Sequence, residues 1–195
     1  MVGCVGYNFQ PAAKRIGTPE IYIVIGASNA LNYLQALPRA FDTAMTAKTG
    51  NKTFVLNCAK GGSGLNDWAQ GSYWYNKCLY LYQMQYSYKG TLKGILFVNG
   101  EYEGLMGTEW TTPFATIVQA LRNDLGNPVL PIAYLQLSQN MTGEYVESVR
   151  LQQAGTLSIP YTCMVNPENI ALENAWHYTN ASLTALGKKF ADCFN

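Results

Sequence analysis

Short apolar runs alternate with longer stretches of helical period along this chain. Ile21 to Ile25 is a continuous, mostly β-branched run, the pattern of a strand covered on both faces, and Gly26 ends it. Asn32 to Lys48 reads as a helix broken near Pro38. Thr53 to Asn57 is a second buried strand, followed by a glycine-rich loop from Gly61 to Gly64. Trp68 to Lys89 is a tyrosine-rich helical stretch, and Gly94 to Asn99 is a third strand. Thr112 to Leu125 is helical, with Pro113 tolerated near its start. Pro128 to Leu137 holds a fourth strand, and Pro131 places its early part outside the ladder. Gly143 to Ser158 is helical, Thr162 to Val165 is a short fifth strand, and a last helix runs from about Thr179 to Cys193. Thr179 or Asn180 suits its N-cap.

This alternation predicts an α/β fold, a three-layer α/β/α sandwich on a five-stranded parallel sheet. Ligands of such sheets bind outside the C-terminal ends of the strands. No repeat or linker divides the chain, so one domain is expected over residues 18–195, preceded by an arm without period over residues 1–17. Tyr75, Leu79, Tyr82 and Tyr86 share one helical face, which reads as packing rather than a sugar platform.

Composition narrows the function. Charged residues make up 13% of the 195, with a formal net charge of +1. Nucleic acid is not an expected partner, because phosphate binding needs clustered Lys and Arg. No apolar run approaches the ~18 residues of a membrane span. The N-terminus lacks the charged and apolar regions of a secretory signal. The expected location is therefore the cytoplasm, or release or assembly without a signal of that kind. Amides and phenols replace the missing charge, with 16 Asn, 10 Gln and 14 Tyr. Such a surface suits glycan contact or a homo-oligomer or larger assembly. Cys4, Cys58, Cys78, Cys163 and Cys193 are odd in number and widely spaced, and they read as reduced, mostly buried thiols. With His177 the lone histidine, no metal site is expected, and no cofactor. Asn-x-Ser/Thr triplets at Asn51, Asn140 and Asn180 read as chance in an Asn-rich chain.

The reactive residues collect after the strands. Ser28 and Asn29 follow the first, where a helix N-terminus supplies N–H donors to a developing negative charge. Gly61 to Trp68 follow the second, Asn99-Gly100-Glu101 follow the third, and Glu173 to His177 precede the last helix. Each signal alone is weak: Ser28 suits a helix N-cap, and a lone His is more often structural. Together they supply acyl transfer with a nucleophilic Ser, oxyanion donors and a late His as general base.

With these blocks in hand, the chain resembles the SGNH, or GDSL-like, hydrolases of flavodoxin-like fold. It is most similar to their sialate O-acetylesterase and carbohydrate acetylesterase branch. Gly26-Ala27-Ser28-Asn29 matches that branch's Gly-Gln-Ser-Asn block except at Ala27. Gly61-Gly62-Ser63 with Leu65 and Trp68 fits the second block, and Asn99-Gly100-Glu101 stands for Gln-Gly-Glu. The Arg and Gln that recur in a helix before the last strand are matched by Val149-Arg150-Leu151-Gln152-Gln153. The final Asp-x-x-His block survives as Asn174-Ala175-Trp176-His177.

The resemblance implies that Ser28 is the nucleophile and His177 the base of a cofactor-free esterase removing acetyl groups from a carbohydrate. It places the oxyanion hole at the Ser28 and Gly62 amides and the Asn99 side chain. Three readings of the missing carboxylate stay open. Glu173 supplies it, Asn174 orients a Ser–His dyad, or the chain is a weakened esterase that binds carbohydrate or serves in an assembly. Asn29, Ser63, Glu101 and Gln136 are expected to bind substrate or support the loops, with Ser138 and Gln139 also on the sugar side. Glu101 is expected to pair with an arginine such as Arg150, Ser63 to shape its loop, and Asp67 and Trp68 to cap and anchor.

Overall fold

A computed structural model of the chain describes residues 17–168 and 170–194. The expected arm over residues 1–17, with Cys4, falls almost wholly outside the described residues. Five strands carry the fold: β1 (Glu20–Gly26), β2 (Thr53–Asn57), β3 (Thr91–Val98), β4 (Ile132–Leu135) and β5 (Thr162–Val165). They form one parallel sheet in the order β2-β1-β3-β4-β5. The chain steps outward from β1 to β2 and then returns to the other side of β1 as β3. The crevice between the carboxyl ends of β1 and β3 is therefore the switch point where such folds bind ligands.

The helices are α1 (Ser28–Leu31), α2 (Ala36–Thr49), α3 (Tyr73–Gln85), α4 (Glu101–Met106), α5 (Thr111–Asp124), α6 (Val146–Gly155) and α7 (Asn180–Asp192). The break expected near Pro38 falls at residues 32–35, just before α2. Pro38 itself sits in the first turn of α2, where no N–H partner is required. Pro131 lies one residue before β4 as expected, and Thr179 caps α7 by accepting from Ser182 N. The helix expected over 68–89 shortens to α3, because Ser72 caps its start. Tyr75 is buried, and Leu79, Tyr82 and Tyr86 are partly buried against the core, so this face packs.

Register assigns the two faces of the sheet. Tyr22 pairs with Gly94 and Ile25 with Phe97, an odd step apart, so Tyr22 and Phe97 point to opposite sides. On Tyr22's side its ring meets Phe41 of α2 and Phe194 after α7, at 4.8 and 5.1 Å between centroids. Gly94 admits the Phe194 ring, since a Cβ there would lie 2.2 Å from it. On the opposite side Phe97, Trp110, Phe114 and Tyr134 form a second aromatic cluster under α5.

The cysteines correct the reading of reduced thiols. Cys58, just past β2, bonds to Cys78 on α3, and Cys163 on β5 bonds to Cys193 after α7. The Cα atoms lie 5.5 and 5.8 Å apart, within the range a disulfide spans. Partners 20 and 30 residues apart in sequence meet only once the sheet is assembled. Such bonds persist in oxidising rather than reducing surroundings. Among the described residues, no helix is long and apolar enough to cross a membrane.

Candidate active site

The turn leaving β1 is built on close approach. Gly26 has φ +145, and a Cβ there would sit 1.9 Å from the Val98 carbonyl. Only glycine lets β1 run this tightly against β3. Ala27 N then donates to Val98 O, and α1 begins at Ser28. The Ser28 side chain caps nothing. Its Oγ lies 2.9 Å from His177 Nε2, across 149 residues of sequence.

The other ring nitrogen, Nδ1, is 3.1 Å from Asn174 Oδ1. That same oxygen accepts from the backbone N–H groups of Trp176 and His177, each at 3.0 Å. Both backbone partners can only donate, so the atom facing them is the amide oxygen. The ring nitrogen beside it must carry hydrogen, which leaves Nε2 as the acceptor for the Ser28 hydroxyl. Among the described residues, no hydrogen bond links the Glu173 carboxylate to this ring. Glu173 is exposed and contributes its backbone N–H to His177 O.

Behind the ring, Asn29 clamps the histidine loop to α1. Its amide donates to the Trp176 carbonyl and its oxygen accepts from Tyr178 N, both at 3.0 Å. The same amide donates to Glu101 Oε1 at 2.6 Å. Glu101 therefore takes Asn29 as partner and not Arg150. Arg150 bonds to Glu147 at 3.1 Å and to the Leu137 carbonyl. Glu101 Oε2 is enclosed without a hydrogen-bond partner. Burial pushes this carboxyl up from 4.5 to about 7, and the Asn29 donor opposes the shift.

The three donors expected of the oxyanion hole follow the ends of β1, β2 and β3. Among the described residues, the Ser28 and Gly62 amides have no backbone acceptor. Gly62 has φ +69 with open space where a Cβ would go, so conformation and not room requires glycine. Asn99 is buried, its Oδ1 accepts from Gly100 N at 2.9 Å, and its Nδ2 has no partner. An unsatisfied buried donor costs free energy, which a ligand oxygen would recover.

Ser63 shapes its loop, donating to Gly26 O at 3.0 Å and accepting from buried Trp68 Nε1 at 3.1 Å. Asp67 accepts from Gly64 N at 3.0 Å. Glu103 is a buried support that no motif singled out, and Gln153, within the Val149–Gln153 block, is another. Glu103 Oε1 accepts from Leu65 N at 2.7 Å, tying α4 to the glycine-rich loop. Gln153 accepts from Leu137 N at 2.8 Å and donates to Asn99 O at 3.3 Å, joining the ends of β3 and β4.

A cavity of about 430 Å³ opens beside Ser28 and His177, with Leu31, Tyr33, Glu173 and Asn174 also in its wall. Gln136 and Ser138 are buried elsewhere, and the Gln136 amide donates to Arg150 O. A larger cavity of about 530 Å³ lies by Thr91, Pro131 and Thr162, at the far ends of the strands, and holds none of these groups.

Residues 35–195 match the family described as carbohydrate esterase, sialic acid-specific acetylesterase. The match begins downstream of Ser28. A probable carbohydrate esterase of Arabidopsis thaliana is 26% identical over 72% of this chain, which spans 54% of that relative's length. The crystal structure of an Arabidopsis thaliana protein superposes with a TM-score of 0.80 at 18% identity, covering 90% of this chain and 97% of the other. A carbohydrate acetylesterase from Xanthomonas citri gives 0.72 at 18% identity, covering 89% of this chain and 55% of the other. Lipolytic proteins of the G-D-S-L family share the fold.

Proposed function

The chain belongs to the carbohydrate esterase, sialic acid-specific acetylesterase family, and from that membership we propose that it hydrolyses O-acetyl esters of a carbohydrate through an acyl-enzyme on Ser28. The observation carrying this reading is the Ser28–His177–Asn174 chain, with contacts of 2.9 and 3.1 Å. His177 Nε2 takes the Ser28 proton as Oγ attacks the ester carbonyl. The oxyanion forms against the Ser28 and Gly62 amides and Asn99 Nδ2. The imidazolium then gives its proton to the leaving sugar hydroxyl, and water repeats the cycle on acetyl-Ser28. Asn174 holds the ring in the required tautomer, and Asn29 with Glu101 holds the loop that carries it.

A carbohydrate-binding protein of residual activity is the second reading, and the neutral side chain at position 174 favours it. Turnover of p-nitrophenyl acetate by the wild type, Ser28→Ala and His177→Ala separates the two. Catalysis requires that both substitutions abolish turnover. A wild type no faster than Ser28→Ala refutes it.

A further inference from the structure

The wall of the cavity beside Ser28 carries an aromatic ring that the fold does not use. Tyr33 is 104% exposed, so its ring packs on nothing among the described residues. Leu31 and Leu34 beside it are 45% and 57% exposed. Leu31 and Tyr33 line the cavity, with Leu34 next to them in sequence, and bare apolar side chains at the rim of a polar site have the character of a ligand-binding surface. The segment that presents them is fastened. Asn32 Nδ2 donates to Asn180 Oδ1 at 2.9 Å, and Asn32 Oδ1 accepts from Leu34 N at 3.1 Å. Gln35 closes the turn with φ 53 and donates to Asn32 O. The ring is thus held out at the rim by α1 and α7.

The charge of the same wall is one-sided. Among the described residues, the lining includes no lysine or arginine. Glu173 stands in it, exposed, with no ion-pair partner for its carboxylate among the described residues. Lys60, next to lining residue Gly61, pairs with Asp67 at 3.8 Å. A sugar bearing its own carboxylate calls for an arginine or lysine to receive it. This wall offers it a second negative charge instead. A neutral sugar meets no such repulsion and presents a face of C–H groups to an aromatic ring. At about 430 Å³, the cavity is far larger than an acetyl group requires.

We infer that the site takes an O-acetylated neutral pyranose, its ring resting on Tyr33, and that Glu173 turns away anionic sugars such as O-acetyl sialate. The inference rests on the esterase reading of Ser28 and His177.

Three acetyl esters test it: a mono-O-acetyl methyl xyloside, 9-O-acetyl-N-acetylneuraminic acid and ethyl acetate. Acetate release is followed for the wild type, Glu173→Gln, Tyr33→Ala and Tyr33→Phe. The wild type is expected to favour the xyloside over the sialate in kcat/KM. Glu173→Gln should narrow that ratio roughly three- to five-fold, the scale of an exposed charge pair, and added salt should narrow it too. Tyr33→Ala should raise KM for the xyloside relative to ethyl acetate by about three- to ten-fold, and Tyr33→Phe should restore it. A wild type that hydrolyses the sialate as well as the xyloside overturns the inference. So does an unchanged ratio in Glu173→Gln, or a Tyr33→Ala effect equal on xyloside and ethyl acetate. Hydrolysis of none of the three esters overturns the esterase reading itself, and this inference with it.

Discussion

Asn174→Asp isolates what the partner of His177 lacks, which is charge alone. Asn174 Oδ1 already accepts from two backbone N–H groups at 3.0 Å and faces His177 Nδ1 at 3.1 Å. An aspartate keeps all three bonds and the same imidazole tautomer. Replacing the aspartate of a serine protease triad by asparagine costs ~10⁴ in kcat, with the wrong tautomer as the cause. Here two backbone donors already fix the tautomer, so only the electrostatic share is open to recovery. Two unit charges ~4 Å apart attract by about 1 kcal/mol in water and by about 4 kcal/mol at an effective dielectric of 20. Both residues are exposed, so the lower end governs. A gain of about 1–2 kcal/mol raises plateau kcat roughly five- to thirty-fold. The assay is p-nitrophenyl acetate turnover across pH 5 to 9. A carboxylate also favours the imidazolium before reaction, so the acid limb of the profile moves to higher pH and the gain is read on the plateau. A plateau kcat at or below that of the wild type refutes this account of Asn174.

Glu101 gives a pH prediction with a fixed sign. Its folded value is raised from 4.5 to about 7, so the fold prefers the protonated carboxyl. The associated stability is full below about 4.5 and is lost as pH rises toward 7, amounting to about 1–3 kcal/mol. Glu101→Gln keeps an acceptor for Asn29 and should flatten the fall in melting temperature between pH 5 and 8, whereas equal slopes in the two proteins contradict the burial argument. The disulfides close loops of 20 and 30 residues, which predicts about 3 kcal/mol each. Thermal melts of Cys58→Ser/Cys78→Ser should fall by roughly 6–12 °C, and a melting temperature equal to the wild type's would show that the bond does not form.

The sheet was legible because β1, β4 and the second half of β3 are buried on both faces. Their apolar runs break at glycine or proline, as at Gly26 and Pro131, and the partly buried β2 and β5 still have the bounds that residue type predicts. Helix α4 escaped the same reading. It has six residues, starts after Gly100 at φ +131 and contains Gly104, so it has no room for a helical period. The disulfides were hidden for a different reason. Cysteine spacing reports on local frameworks, whereas these pairs depend on which helix covers which strand. Glu101 was expected to pair with Arg150, but its partner, Asn29, follows from the approach of α1 to α4 across the switch point. No feature of the sequence separates Asn29 from Arg150 in that role.

The candidate site divides along the same line. Residue types and their order after the strands bring forward Ser28, Gly62, Asn99 and His177, because those groups are set by where strands end. What the histidine loop can do depends on hydrogen-bond direction, which residue type does not encode. From sequence, an asparagine at position 174 reads as a ring holder or as the mark of a lost carboxylate. The two backbone donors on Asn174 Oδ1 remove half of that ambiguity, because they make tautomer control independent of charge. Asn29 adds to this by holding the loop on both sides of the histidine, at Trp176 O and Tyr178 N. The local backbone thus sets the orientation that serves the ring, which leaves charge and not geometry as what the histidine loop lacks.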